Sequence, residues 1–360
     1  MASRQLPKTF KKLVVTKLST NFREAVQAVT VPMIAPGPEE VLVKTSYAGI
    51  NASDINFTAG RYTPGQEPPF DVGLEAIGEV VSVGDKIKKH FNVGQAVTFM
   101  KYGAFAEYIL LSKRDAIPVP SVHPDFISLL ISGMTAAMAL DKMGDLKSGE
   151  KVLVTAAAGG TGQFAVQLAK QAGCHVIGTC SSQEKVDLLK SLGCDRPINY
   201  KTEELNDVLK AEYPEGVDVV YESIGGNIFD VCVNRLATKG RLIVIGFITG
   251  YESKLGFNPV KTGTLIPKLL TKSASVRGFF LFNYVSDIKT YMPRLIQLYQ
   301  SGQIKTAVDM GENSKAGPFR GLTSVYDAVE AMLLCSGLEK GSGVTILSGF
   351  MMANPSKLSE

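Results

Sequence analysis

The chain has 360 residues, 45% hydrophobic and 20% charged, with a formal net charge of +4. That length predicts two domains, and the composition predicts an ordinary globular protein with a sizeable core. So small and evenly spread a charge excludes an electrostatic nucleic-acid binder, though it suits an anionic small ligand.

The opening "MASRQLPKTFKKL" lacks the apolar region of a secretory signal. Residues 13 to about 120 then read as short alternating strands punctuated by Gly and Pro: "KLVVTKL", "EVLVKTSYAGI", "GLEAIGEVVSVG", "GQAVTFM" and "AEYILLS". Such spacing predicts an antiparallel, β-rich domain. The longest apolar tract, Phe126 to Leu140, carries Ser128, Ser132 and Thr135 and is expected to be too short to cross a bilayer.

From Lys151 the rhythm changes. The apolar run "KVLVTAA" leads into "TGQFAVQLAKQAG", where Phe164, Leu168 and Ala172 recur at helical spacing and Gly173 stands at the C-cap. Strand and helix then alternate: "CHVIGTC", "QEKVDLLKSLG", "PINY", "TEELNDVLKAEY", "VDVVYES", "NIFDVCVNRLA" and "GRLIVIGF". Near-continuous apolar strands separated by helices predict a parallel sheet covered on both faces. "ASVRGFFLF" and a helix over Ser286 to Gln300 are expected to close it, whereas helix Thr323 to Leu334 and strand "GVTILSG" return to the first domain. The tail holds "SKL" at Ser356 to Leu358; followed by Ser359 and Glu360, it reads as a blocked peroxisomal address or a plain polar tail.

Between strand and helix stands "VTAAAGGTGQ". Without a Cβ, Gly159 and Gly160 suit tight or positive-φ turns that let a pyrophosphate approach the backbone, and Gly162 lets the helix pack close to the sheet. The helix dipole then favours the anion. An NAD site carries an acidic residue at the end of the second strand. Here that strand ends in Cys180, Ser181 and Ser182, with Lys185 one turn later and Glu184 facing solvent. Hydroxyls and an ammonium suit a 2′-phosphate, so NADPH is expected.

"AAAGGTGQFAVQLAK", "GTCSSQEK", "INYKTE", "VDVVYESIGG" and "KGRLIVIGF" resemble the medium-chain dehydrogenase/reductase superfamily, quinone-oxidoreductase branch. The resemblance runs from "EVLVKTSYAGINASD" to "GVTILSG". It implies an α/β fold: a Rossmann doubly wound sheet, residues 131–302, inserted into a GroES-like β-rich catalytic domain, residues 1–130 and 303–360. It also implies that Lys185 and Tyr200 contact the 2′-phosphate, with Thr135, Ser223 and Phe247 completing the cofactor set.

In zinc-dependent relatives a Cys follows the strand that here reads "SYAGIN", and a His precedes the Glu of "GLEAIGEV". This chain has Asn51 and Leu74 there. Its His90, His123 and His175 are scattered, and no four cysteines lie between residues 90 and 115. A zinc site is therefore not expected. The five cysteines, Cys174, Cys180, Cys194, Cys232 and Cys335, form no C-x-x-C pair and read as reduced intracellular thiols, mostly buried.

Without a metal to hold an alkoxide, reduction of an activated C=C bond is the easier chemistry: hydride reaches the β-carbon of an enone and donors stabilise the enolate. Asn51 and Tyr62, in the segment that by resemblance faces the nicotinamide, are the candidate polar group and the candidate enolate donor or proton source. Asp54 is expected to cap the helix after it. Alternate members of Phe279, Phe280, Phe282 and Tyr284 are expected to line an apolar pocket, and Arg61 and Arg277 are candidates for a substrate carboxylate. The resemblance implies a 15-keto-prostaglandin substrate reduced at its 13,14 double bond, and dimers are common in the branch. A quinone oxidoreductase and a non-catalytic nicotinamide-binding sensor or scaffold remain alternatives.

Overall fold

The computed structural model describes residues 6–251, 262–312, 314, 317–335 and 350–353. The expected strand "GVTILSG", the "SKL" tripeptide and the Cys335 side chain lie outside the described residues. The first eight strands are β1 (Thr9–Val15), β2 (Val26–Pro32), β3 (Glu40–Ile50), β4 (Phe70–Asp71), β5 (Glu75–Val83), β6 (Ala96–Met100), β7 (Tyr108–Ser112) and β8 (Ile117–Pro118). Six more follow: β9 (Lys151–Val154), β10 (His175–Cys180), β11 (Arg196–Asn199), β12 (Val217–Glu222), β13 (Leu236–Val244) and β14 (Ser275–Gly278). The last is β15 (Phe350–Ala353).

Two compact units result. Among the described residues, one holds the chain up to Leu130 and from Val308 onward, the other Ile131 to Ala307. The first is antiparallel: β2-β1-β4 form one sheet, β15-β3-β5-β6-β8 the other, with β7 also paired to β3. This is the GroES-like domain. Strands β2, β4 and β8 have no clear signal in the sequence. "VQAVTVP" is largely exposed and lacks a buried face, and the other two are only two residues long.

The second unit is a six-stranded Rossmann sheet in the order β11-β10-β9-β12-β13-β14, every pairing parallel. Strands buried on both faces explain its unbroken apolar runs. On one face Leu153, Ile177, Ile198, Val220 and Leu242 pack against Leu209, Phe229 and Cys232 from the helices, all under 10% exposed. The strand order reverses between β9 and β12, so the crevice at their carboxyl ends is the natural ligand site.

Two boundaries differ from expectation. Residues 303–307 belong with the Rossmann unit because buried glutamines hold them like a strand edge. Gln163 Nε2 donates to Ala307 O at 3.1 Å and its Oε1 accepts from Ala307 N at 2.7 Å, while Gln167 does the same with Lys305 at 2.9 and 2.7 Å. The apolar tract near residue 130 is longer than expected. Pro124–Gly144 is a 21-residue helix with two wide turns, long and apolar enough to cross a membrane, but 67% of its apolar window is buried within the fold.

Candidate cofactor site and active site

The chain leaves β9 at Val154 and turns through Ala156 into helix Gly162–Gln171. The positive-φ residue is Ala156, at φ 46°; of the tight or positive-φ turns expected of the glycines, Gly159 shows the tight one, and neither it nor Gly160 takes positive φ. Hydrogen bonds impose the turn: Ala156 N donates to Thr179 Oγ1 at 3.1 Å, and Gly159 N donates to Ala156 O at 2.8 Å. At Gly162 the glycine is needed for space. A Cβ there would stand 2.4 Å from Ala156 O and 2.8 Å from Ala157 O, both backbone atoms that no rotamer change can move. Tight turn and helix N-terminus together present backbone N–H dipoles to an anion.

One strand over, β10 ends at Cys180, and Ser182 caps helix Gln183–Ser191 by accepting from Lys185 N at 3.3 Å. That cap turns Lys185 inward. The residue is only 7% exposed, and its Nζ donates to Ser181 Oγ at 3.1 Å. Tyr200 is brought beside them by its N–H, bonded to Cys180 O at 3.0 Å, and it is exposed. Glu184 points to solvent, where its own backbone N–H and the Ser182 hydroxyl hold its carboxyl below the usual range. Ser181, Ser182 and Lys185 thus form one cationic, hydroxyl-rich group, with the Tyr200 backbone held at the same strand end.

At the switch point, β12 ends in Glu222, and Ser223 follows it. Ser223 N donates to Thr155 Oγ1 at 2.9 Å, tying the ends of β9 and β12 together. Ile248 N reaches back to Ser223 O at 3.2 Å and so folds Phe247, packed edge-on against Tyr251 at 5.1 Å, over the strand end. Sequence reading missed Glu222. Fully buried, it accepts through Oε1 from Ile224 N at 2.8 Å and Gly225 N at 2.9 Å, while Oε2 has no partner. Burial pushes its pKa up to about 7, against the pull of those two N–H groups. Gly225, at φ 78°, makes the turn possible. Thr135 sits half-buried on Met134–Ala139, which packs against helix Gly162–Gln171.

In the GroES-like unit, Asn51 follows β3 and donates through Nδ2 to the buried Glu75 Oε1 at 2.9 Å. Asp54 is buried within helix Ser53–Thr58, whose N-cap is Ala52. It is not itself the cap, and its Oδ2 accepts from Asn51 N at 2.9 Å instead. Burial raises its pKa to about 7, partly opposed by that N–H. Tyr62 Oη accepts from Asn56 Nδ2 at 3.1 Å, and Arg61 Nη1 donates to Asn56 Oδ1 at 2.9 Å. Tyr102 stacks on Phe57 at 3.8 Å, and burial, then the charges of Asp54 and Tyr62, push its pKa up to about 12. The structure therefore joins Asn51, Arg61 and Tyr62 to Asp54, Asn56, Glu75 and Tyr102.

Two other expectations change. "VRGFFLFNY" is not one strand: β14 stops at Gly278, Phe279 packs on Tyr284 at 5.0 Å, and Phe280 is 43% exposed beside Phe282. Arg277 is engaged within its own unit, donating to Met143 O at 2.7 Å and to Asp145 Oδ2 at 2.6 Å. Cys174, Cys180, Cys194 and Cys232 are buried free thiols.

A GroES-like unit and a Rossmann sheet with a glycine turn at its switch point define a medium-chain dehydrogenase/reductase, and the chain belongs to that superfamily. Residues 37–121 match the alcohol dehydrogenase GroES-like domain and residues 160–298 match zinc-binding dehydrogenase. The chain is 57% identical over 328 residues to prostaglandin reductase-3 of Mus musculus, covering 91% of this chain and 87% of that one. It is 30% identical to the NADP(+)-dependent 2-alkenal reductase of Nicotiana tabacum, covering 81% and 86%. Its fold superposes on the quinone oxidoreductase of Escherichia coli complexed with NADPH at a TM-score of 0.78 and 26% identity, covering 95% of this chain and 99% of that one.

The family's description names zinc. The Asn51 amide already donates to Glu75, Leu74 is apolar and buried, and among the described residues no three His, Cys, Asp or Glu gather as a metal site. These residues do not suit zinc, which takes Cys, His or carboxylate ligands.

Proposed function

We propose that the chain is an NADPH-dependent, zinc-independent reductase of the activated C=C bond of enones, with a 15-oxo-prostaglandin reduced at its 13,14 bond as the favoured substrate. The observation that carries the reading is the buried Lys185 on Ser181, at the end of a strand that lacks the carboxylate of an NAD site. The nucleotide, when bound, supplies a hydride to the β-carbon of the enone.

The chain's own residues do the rest. Backbone N–H groups around Gly159, Gly160 and Gly162 receive the pyrophosphate. Lys185, Ser181, Ser182 and Tyr200 neutralise and hydrogen-bond the 2′-phosphate, while Thr135, Ser223 and Phe247 hold the remainder of the nucleotide. Charge then develops on the carbonyl oxygen of the substrate, where the Tyr62 hydroxyl donates and Asn51 supplies a second polar contact. Arg61 and Phe280 are assigned to the acidic and apolar parts of a lipid substrate. The same reading carries a homodimer in the cytoplasm, with the peroxisome as the alternative compartment.

A panel of enones and quinones, followed by NADPH absorbance, tests the activity. Turnover of a 15-keto-prostaglandin above that of an ortho-quinone is expected. The reverse order makes the chain a quinone oxidoreductase, and NADPH binding without any turnover makes it a sensor or scaffold. Elemental analysis is expected to find no stoichiometric zinc; one zinc per chain overturns the metal-free reading.

A further inference from the structure

Tyr62 is given a donor's role above, and its neighbours explain how that polarity is set. Asn56 is 0% exposed on helix Ser53–Thr58, and its carboxamide touches two side chains five and six residues further along. Arg61 Nη1 donates to its Oδ1 at 2.9 Å, and its Nδ2 donates to Tyr62 Oη at 3.1 Å. The Arg61 N–H also donates to Asn56 O at 2.9 Å, which fixes the loop carrying both partners.

The two ends of a carboxamide are similar in shape, so its orientation follows from what its neighbours can accept or give. A guanidinium has donors only, so the Asn56 oxygen must face Arg61 and the NH2 group must face Tyr62. The phenol oxygen then accepts from Asn56, and its own proton is directed to a different acceptor. The charged donor at Oδ1 polarises the amide and strengthens the N–H bond to the phenol, because hydrogen bonds in series reinforce one another away from water.

We propose that Asn56 is a positioning residue which, held by Arg61, makes Tyr62 a hydrogen-bond donor to the enolate oxygen of the substrate. This rests on the role assigned to Tyr62 above. The buried amide neither touches the substrate nor exchanges a proton; it acts by occupying the accepting side of the phenol.

Asn56→Asp tests the inference with almost no change of shape. A carboxylate accepts from both Arg61 and Tyr62, so the phenol proton is drawn inward. With cyclohexenone as substrate, kcat is expected to fall by about 10- to 100-fold, in the range of a lost oxyanion donor, while the NADPH dissociation constant changes by less than about twofold. In a Tyr62→Phe background the same substitution is expected to add less than about a twofold loss, because both changes remove one donor. Arg61→Met, which removes the polarising charge and leaves Asn56 in place, is expected to lower kcat by about 3- to 10-fold and also to lose its effect in the Tyr62→Phe background. It keeps the test decisive should Asn56→Asp fail to fold. Losses that multiply in the double variants, or an unchanged kcat in the single ones, overturn the positioning role. If Tyr62→Phe alone leaves kcat unchanged, the donor assignment of Tyr62 fails first and takes this inference with it.

Discussion

The nucleotide turn and the segment from Asn51 to Tyr62 are both polar sites, yet they are built from opposite materials. Around Gly162 the contact surface is backbone, shaped by residues too small to intrude, and the buried Lys185 cation sits on the Ser181 hydroxyl, four residues away in sequence. From Asn51 to Tyr62 the surface is side chains, cross-linked by hydrogen bonds such as Asn51 to Glu75. Volume is therefore the sensitive variable in the first region and donor–acceptor polarity in the second.

The largest expected effect breaks the first region by volume alone. Gly162→Ala places a methyl 2.4 Å from Ala156 O, and the helix must move away from the turn. A loss of about 3 kcal/mol or more is expected, since overpacking against backbone has no rotamer escape. Calorimetry reads that loss, and NADPH fluorescence is expected to show at least about a tenfold weaker complex. An unstrained Gly162→Ala variant removes the close-approach argument.

Next is a property the regions share. Each contains a carboxyl, Glu222 or Asp54, raised by burial to about 7. Between the usual carboxylate range and pH 7 the folded chain keeps protons that the unfolded chain has released. Stability from these groups is thus fullest in acid, falls as pH rises to about 7, and then levels. For Glu222 the fall is on the order of 3 kcal/mol. Glu222→Gln is expected to melt progressively higher than wild type as pH goes from 5 to 8, and Asp54→Asn to behave alike. Parallel melting curves across that range show that neither group titrates.

Lys185→Met tests the cation of the first region. The stem is kept, so packing survives, but the 2′-phosphate loses a charge-assisted bond of about 1.5–3 kcal/mol. NADPH is expected to bind about 10- to 100-fold more weakly, and NADH to change by less than about twofold. Equal losses for the two coenzymes refute the phosphate assignment.

The same division explains what the sequence reveals. The βα rhythm, Ser182 as a cap and Gly162 at a helix start are local patterns, governed by periodicity and hydrogen bonds within a few residues. Ala156, not a glycine, takes the positive φ because Thr179, 23 residues away, holds its N–H. Glu75 and Tyr102 join the Asn51–Tyr62 region only through the register of β5 and the stacking of Tyr102 on Phe57, which no spacing in the chain records. Glu222 reads in sequence as the end of a strand, and only burial reveals an orphaned oxygen.

The smallest effect separates the two arginines considered for a substrate carboxylate. Arg277 is held by Asp145 and Met143 O, and the bond to Arg277 keeps the Asp145 carboxyl below its usual range. To serve a substrate it must first surrender both partners, whereas the Arg61 bond to Asn56 goes to a neutral amide. Arg277→Ala is therefore expected to cost about 1 kcal/mol or less, as partly exposed ion pairs do, and to leave KM for an acidic enone within about twofold. Arg61→Met is expected to raise KM for the acid but not for its methyl ester, since only the acid offers a charge to pair. A rise in KM at Arg277 instead moves carboxylate recognition out of the Asn51–Tyr62 region and into the Rossmann unit.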